Sequence, residues 1–73
     1  MFDLKIMQHI STISENTRNG RSLQFNVVSV NGGPDQYEIG RYIKGADGKE
    51  VRKGGLVISP VELDSLITAL NEF

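Results

Sequence analysis

Lys49, Arg52 and Lys53, with Gly54-Gly55 directly after them, are the residues of this chain best equipped for chemistry. Closely spaced cations beside glycines, whose backbone N–H groups no side chain screens, suit a phosphate. Just upstream, Tyr42 alternates with Gly40 and Lys44. A ring on a strand face with a glycine beside it can stack on a base that approaches the backbone closely. Arg18 and Arg21 flank Asn19-Gly20, where a turn tip can clamp a strand. Gln24 and Asn26 share one strand face and could bond to base edges, whereas Arg41 lies on the opposite parity from Tyr42. Arg18, Arg21, Gln24, Asn26, Arg41, Tyr42, Lys44, Lys49, Arg52 and Lys53 together form a nucleic-acid-binding set. In such a set cations track phosphates and release counterions, while each stacked base contributes about 1–3 kcal/mol. Each member also has a plainer reading: a ring covering a sheet or a dimer contact, a turn charged for solubility, a strand face made wettable.

Other chemistries find little support. The chain has no cysteine and one histidine, His9, so neither disulfides nor an all-protein zinc site is expected. Asp47-Gly48-Lys49-Glu50 has the look of a calcium loop, but Ile43 and Gly45 stand where earlier acidic ligands would be needed, so it reads as a hairpin turn. No phosphate loop, nucleophile elbow, His/Cys pair or convergent carboxylates are found. No catalytic residue, metal or cofactor is expected, and the chain does not read as an enzyme.

Net charge is −1, but its distribution is uneven. Residues 17–53 hold seven cations against four acids, whereas the rest holds Lys5 alone against five acids. That asymmetry permits a basic surface on an acidic protein.

These side chains need a scaffold, and 73 residues allow one domain, 1–73. A chain of this size buries only about 60% of its unfolded surface. With no disulfide or metal to staple it, pairing with a second copy is the cheapest route to stability. No apolar run approaches the roughly 20 residues of a membrane span, and no secretory signal is visible. The expected location is therefore cytoplasmic, or nucleoid-associated if the protein is bacterial.

Asn19-Gly20 and Asp47-Gly48 read as hairpin turns, the first of type I′, and Asn31-Gly32-Gly33-Pro34-Asp35 as a longer turn. Four strands are expected between them. The first runs from about Phe2 to Ser14; Ile13 breaks the parity of Phe2, Leu4, Ile6 and Ile10, which a bulge or a change of partner near Ser11-Thr12 would explain. The second is Ser22 to Val30. The third, Gln36 to Lys44, alternates cleanly. The fourth is the short, buried Leu56-Val57-Ile58. Ser59, Pro60 and Glu62 then form a helix start with a capping box. Leu63, Leu66, Ile67 and Leu70 make a helical stripe expected to pack on the sheet. His9 reads as a surface residue.

Ile13-Ser14-Glu15-Asn16, Asn26 to Asn31, Tyr37-Glu38-Ile39 with Tyr42, and Lys53-Gly54 leading through Leu56-Val57-Ile58-Ser59 into the helix carry a likeness in order and spacing. The chain resembles the single-stranded-DNA-binding family of the transcriptional coactivator positive cofactor four, most closely its small bacterial branch (YdbC-like proteins). The resemblance covers nearly the whole chain. It implies a β-β-β-β-α protomer that dimerises and binds single-stranded DNA with little sequence preference, in transcription, replication or repair. Gly40 departs from it, standing where the family has a strand arginine, and a tryptophan common on that strand is absent.

The expectation is an α+β homodimer, each protomer a curved four-stranded antiparallel meander followed by one C-terminal helix. Its partner is single-stranded DNA, possibly RNA, with no membrane association. The rival is a protein-interaction or dimerisation adaptor that keeps the fold without the ligand.

Overall fold

The computed structural model describes residues 3–73. Four antiparallel strands, β1 (Leu4–Asn16), β2 (Arg21–Val30), β3 (Asp35–Lys44) and β4 (Glu50–Ile58), follow one another in an open meander, and α1 (Pro60–Glu72) closes the chain. Phe2, counted above in the first strand, lies outside the described residues.

The tight turn of type I′ chemistry sits at Asn31-Gly32 rather than at Asn19-Gly20. Asn31 (φ 52°) and Gly32 (φ 75°) both take positive φ, and the Gly33 N–H donates to the Val30 carbonyl at 2.9 Å. Asn31 is among the few non-glycine residue types that take this conformation readily; its Oδ1 accepts from the Asp3 N–H, 28 residues away, at 2.7 Å. Between β1 and β2, residues 17–20 make a four-residue loop, because Asn16 pairs directly with Arg21. Asn16 and Asn19 each accept a backbone N–H two residues on, from Arg18 and Arg21, both at 3.0 Å. Gly20 then hands the chain into β2 while its carbonyl accepts the Lys44 N–H at 2.9 Å.

β1 shifts register against β2 three times, between Ile6 and Gln8, His9 and Ser11, and Thr12 and Ser14. Met7, Ile10 and Ile13 are the extra residues, so the parity break expected near Ser11-Thr12 is one of a series. The bulges convert a period of two into a period of three. Ile6, His9, Thr12 and Glu15 consequently share the face of Val28, Asn26, Gln24 and Ser22. Each bulge also bends the strand and increases its twist.

The fourth strand is longer and more exposed than the sequence suggested. Glu50, Val51 and Arg52 already pair with Lys44, Ile43 and Tyr42, and Leu56 remains 59% exposed. Gly54-Gly55, placed ahead of the strand in the sequence reading, is itself strand. Lys53 is an extra residue that takes up the register shift between Arg41 and Tyr42.

The helix begins as its capping box dictates. The Ser59 Oγ accepts the Glu62 N–H at 3.2 Å, and a Glu62 carboxylate oxygen accepts the Ser59 N–H at 2.8 Å. Its stripe, however, is scarcely covered by the sheet, though the helix touches β3. No helix residue is buried, Leu63 is half-buried, and Leu66, Ile67 and Leu70 are exposed. Apolar periodicity specifies that a face will be covered, not which surface covers it. Val28, Tyr42 and Ile58 are the only buried hydrophobic residues among those described. No helix among them is long and apolar enough to cross a membrane.

Two outcomes are expected at the helix start. Ser59→Ala should cost about 1 kcal/mol in urea unfolding. The Ser59 N–H, and then its hydroxyl, hold the Glu62 carboxyl below its usual range. A lowered folded value means the cap's contribution is present above the unfolded pKa, about 4.3, and lost as pH falls through the folded one. Helical circular dichroism should therefore decline on acidification, and less so in Glu62→Gln.

Candidate functional site

The centre of one sheet face is polar and buried. Glu38 and Asn26, directly paired across β2 and β3, both have 0% exposure. A bare carboxylate there would be very unfavourable, and it is compensated on every side. The Tyr42 hydroxyl donates to Glu38 Oε1 at 2.5 Å, and Asn26 Nδ2 donates to the same oxygen at 3.1 Å. Arg52 Nε donates to Oε2 as an ion pair. On the other side of Asn26, its Oδ1 meets His9 Nδ1 at 2.7 Å, which makes that ring nitrogen the protonated one. His9 Nε2 lies 3.1 Å from Thr12 Oγ1.

Two glycines make room for this network. A Cβ at Gly40 would stand 2.7 Å from Glu38 Cδ, so the carboxyl group lies in the space where a side chain would be. Gly55 pairs with Gly40, and its Cβ would stand 2.7 Å from the Gly40 Cα and 3.1 Å from Arg52 Nη2. The guanidinium thus reaches Glu38 across a strip of side-chain-free backbone. Glycine at position 40 therefore has a local physical reason.

On the same face an open groove of about 530 Å³ runs beside β1. His9, Thr12 and Glu15 form one wall, Ser22 and Gln24 the floor, and Lys44 and Glu50 the other side. Gln24 is itself buried, its Nε2 donating to Glu50 at 2.7 Å and Ser22 at 3.0 Å.

The opposite face is apolar through Leu23, Phe25, Val27, Tyr37 and Ile39, with Phe25 and Tyr37 stacked at 5.7 Å. It becomes basic towards one end. Arg21 pairs with Ile43, Arg41 with Gly54, and both cations line a pocket of about 270 Å³ with Lys53, Ile43, Ser22 and Tyr42. The register also carries the two basic turns to this end. Of the eight cations in the chain, all but Lys5 lie at the end bounded by residues 16–22 and 41–53.

The candidate residues therefore divide. Arg18, Arg21, Arg41, Lys44, Lys49 and Lys53 are exposed at the basic end. Tyr42 is not the exposed ring the sequence suggested. It is 4% exposed and bound to Glu38, so neither ring face is open to a base. Gln24 and Asn26 spend their amides within the protein instead of offering them to base edges. Arg52 is half-buried and paired with Glu38, which removes it from the phosphate-binding cations. Glu38 itself was missed. Its signal is an acid in mid-strand, two residues from a glycine and four from a tyrosine on one face. His9, exposed as expected, also braces Asn26. Among the described residues no group of three or more His, Cys, Asp or Glu side chains could hold a metal ion.

Burial, reinforced by the hydrogen bond to Glu38, pushes the Tyr42 phenol well above its ordinary value. No protein-family model matches the chain, and no curated protein matches it in sequence.

Two predictions test this network. A group with a raised folded pKa gives stability that is full below its unfolded value, near 10 for tyrosine, and lost at higher pH. Tyr42→Phe should cost about 2 kcal/mol at neutral pH, since it removes a donor to a buried charge. It should also flatten the loss of stability expected above pH ~10 in urea titrations. Gly40→Ala should destabilise by about 1–3 kcal/mol, as overpacking does. A neutral effect would mean that the carboxyl group can move aside.

Proposed function

We propose that this protein is a non-catalytic, homodimeric binder of single-stranded nucleic acid, DNA in the first instance, serving transcription, replication or repair. The observation that carries the reading is the gathering of Arg18, Arg21, Arg41, Lys44, Lys49 and Lys53 at one end of the sheet of an otherwise acidic chain. Six exposed cations at one end, three of them lining an open pocket, suit a flexible polyanion. The resemblance to the positive-cofactor-four family supports the same reading. With Tyr42 enclosed, phosphate contact dominates over stacking, so binding is largely independent of sequence and sensitive to salt.

The dimer is inferred from what the protomer leaves open. Leu66, Ile67 and Leu70 on the helix and Leu56 on β4 are exposed. A second copy that covers them supplies the apolar burial the single sheet lacks. The same surface favours the second reading, an adaptor that uses it to hold a protein partner.

Fluorescence anisotropy of a labelled oligothymidine tests the binding. Six phosphate contacts at about 0.7 each give a slope near −4 for log K against log salt. Arg41→Ala or Lys53→Ala should each reduce that slope by about 0.7. Arg52→Gln should lower stability by roughly 3 kcal/mol, because it strands the Glu38 charge. Absence of binding at low salt would discard the nucleic-acid reading and leave the adaptor.

A further inference from the structure

We infer that Glu38 is a positioning residue for the basic pocket on the other side of the sheet, acting through Arg52 and the β4 bulge to aim Lys53. The inference rests on the nucleic-acid reading for its ligand but not for its geometry.

Glu38 and the pocket cations lie on opposite faces, since Arg41 and Ile43 have the other parity on β3. Between them stands the one irregularity of the β3–β4 ladder. Tyr42 pairs with Arg52 and Arg41 with Gly54, leaving Lys53 as the extra residue. A bulge re-aims side chains, and its position needs fixing by contacts beyond the ladder. Here Glu38 binds both members of the pair that borders it. Its Oε2 takes Arg52 and its Oε1 takes the Tyr42 hydroxyl. Gly40 and Gly55 make the arrangement possible, because a Cβ at either would intrude on Glu38 or on the Gly40 backbone. With Arg52 and Tyr42 held, Lys53 emerges beside Arg21 and Arg41 in the pocket of about 270 Å³.

Simple charge arithmetic predicts the opposite sign for a Glu38 variant. Removing an acid should raise the affinity for a polyanion, whereas losing Lys53 from the pocket should lower it.

The test is a double-mutant cycle on the full chain, read by oligothymidine anisotropy across salt. Glu38→Gln should weaken binding about tenfold and cut the salt slope by about 0.7, the share of one phosphate. Lys53→Ala should do the same, and the double variant should be no weaker than either single one, since both remove the same contact. Unchanged or tighter binding in Glu38→Gln, or losses that add in the double variant, would overturn the inference. If Glu38→Gln fails to fold, Arg52→Lys probes the same link, keeping the charge but losing the Nε contact; it should lower the slope alike. Backbone amide NMR shifts of Lys53 and Gly54, measured without any oligonucleotide, separate the two levels of the argument. Movement of those amides in Glu38→Gln is expected even if the wild type binds no nucleic acid. Amides that stay in place would overturn the positioning role while leaving the binding reading intact.

Discussion

A carboxylate with no exposure to water, in the middle of a four-stranded sheet, is the constraint around which this protein is arranged. Glu38 would be very unfavourable there without its three donors, and each donor fixes a different part of the fold. Asn26 joins it to β2 and, through His9, to β1. Tyr42 ties it along its own strand. Arg52 ties it to β4. The buried interior of this protomer is thus as much polar as apolar. Networks of that kind are stable only when every member is satisfied, and none of the described buried side-chain polar atoms lacks a partner.

The same network allocates side chains between structure and surface. Tyr42, Asn26, Gln24 and Arg52 have the chemistry to hold a nucleic acid, yet the fold uses them to hold itself. Arg18, Arg21, Arg41, Lys44, Lys49 and Lys53 are left to face the solvent. A ligand meeting this end encounters charge rather than aromatic surface. A phosphate backbone fits that description better than a base.

Much of the architecture was legible in the sequence, because period-two alternation in Ser22–Val30 and Gln36–Lys44 and the Ser59-x-x-Glu62 box are local signals. The parity break at Ile13, expected to mark a bulge or a change of partner near Ser11-Thr12, belongs to a series of three bulges; Met7 breaks the parity of Leu4, Ile6 and Ile10 in the same way, whereas Ile10 fits it and gives no sign. Gly54-Gly55 concealed the first half of β4. Glycine normally weakens a strand, and nothing local announced that Gly40 would need a glycine opposite it. The site was harder to read for the same reason. Alternation gives a residue's face but not its burial, so it separates Tyr42 from Arg41 without showing that Tyr42 is the enclosed one. Glu38 escaped notice because an acid on a strand usually marks the solvated face.

The bulges have a further consequence, for what the sheet's margins refuse. An open meander has two outer strands, each a potential template for another chain's backbone. Both are irregular here. β1 is thirteen residues long but is interrupted three times, and β4 is interrupted at Lys53. Neither offers a long run of evenly spaced N–H and C=O groups, and Lys53 sets a charge at the break. Strand-by-strand growth into fibrils is thereby discouraged, although the protomer leaves a good deal of apolar surface uncovered. Any association is left to side chains, where shape can discriminate.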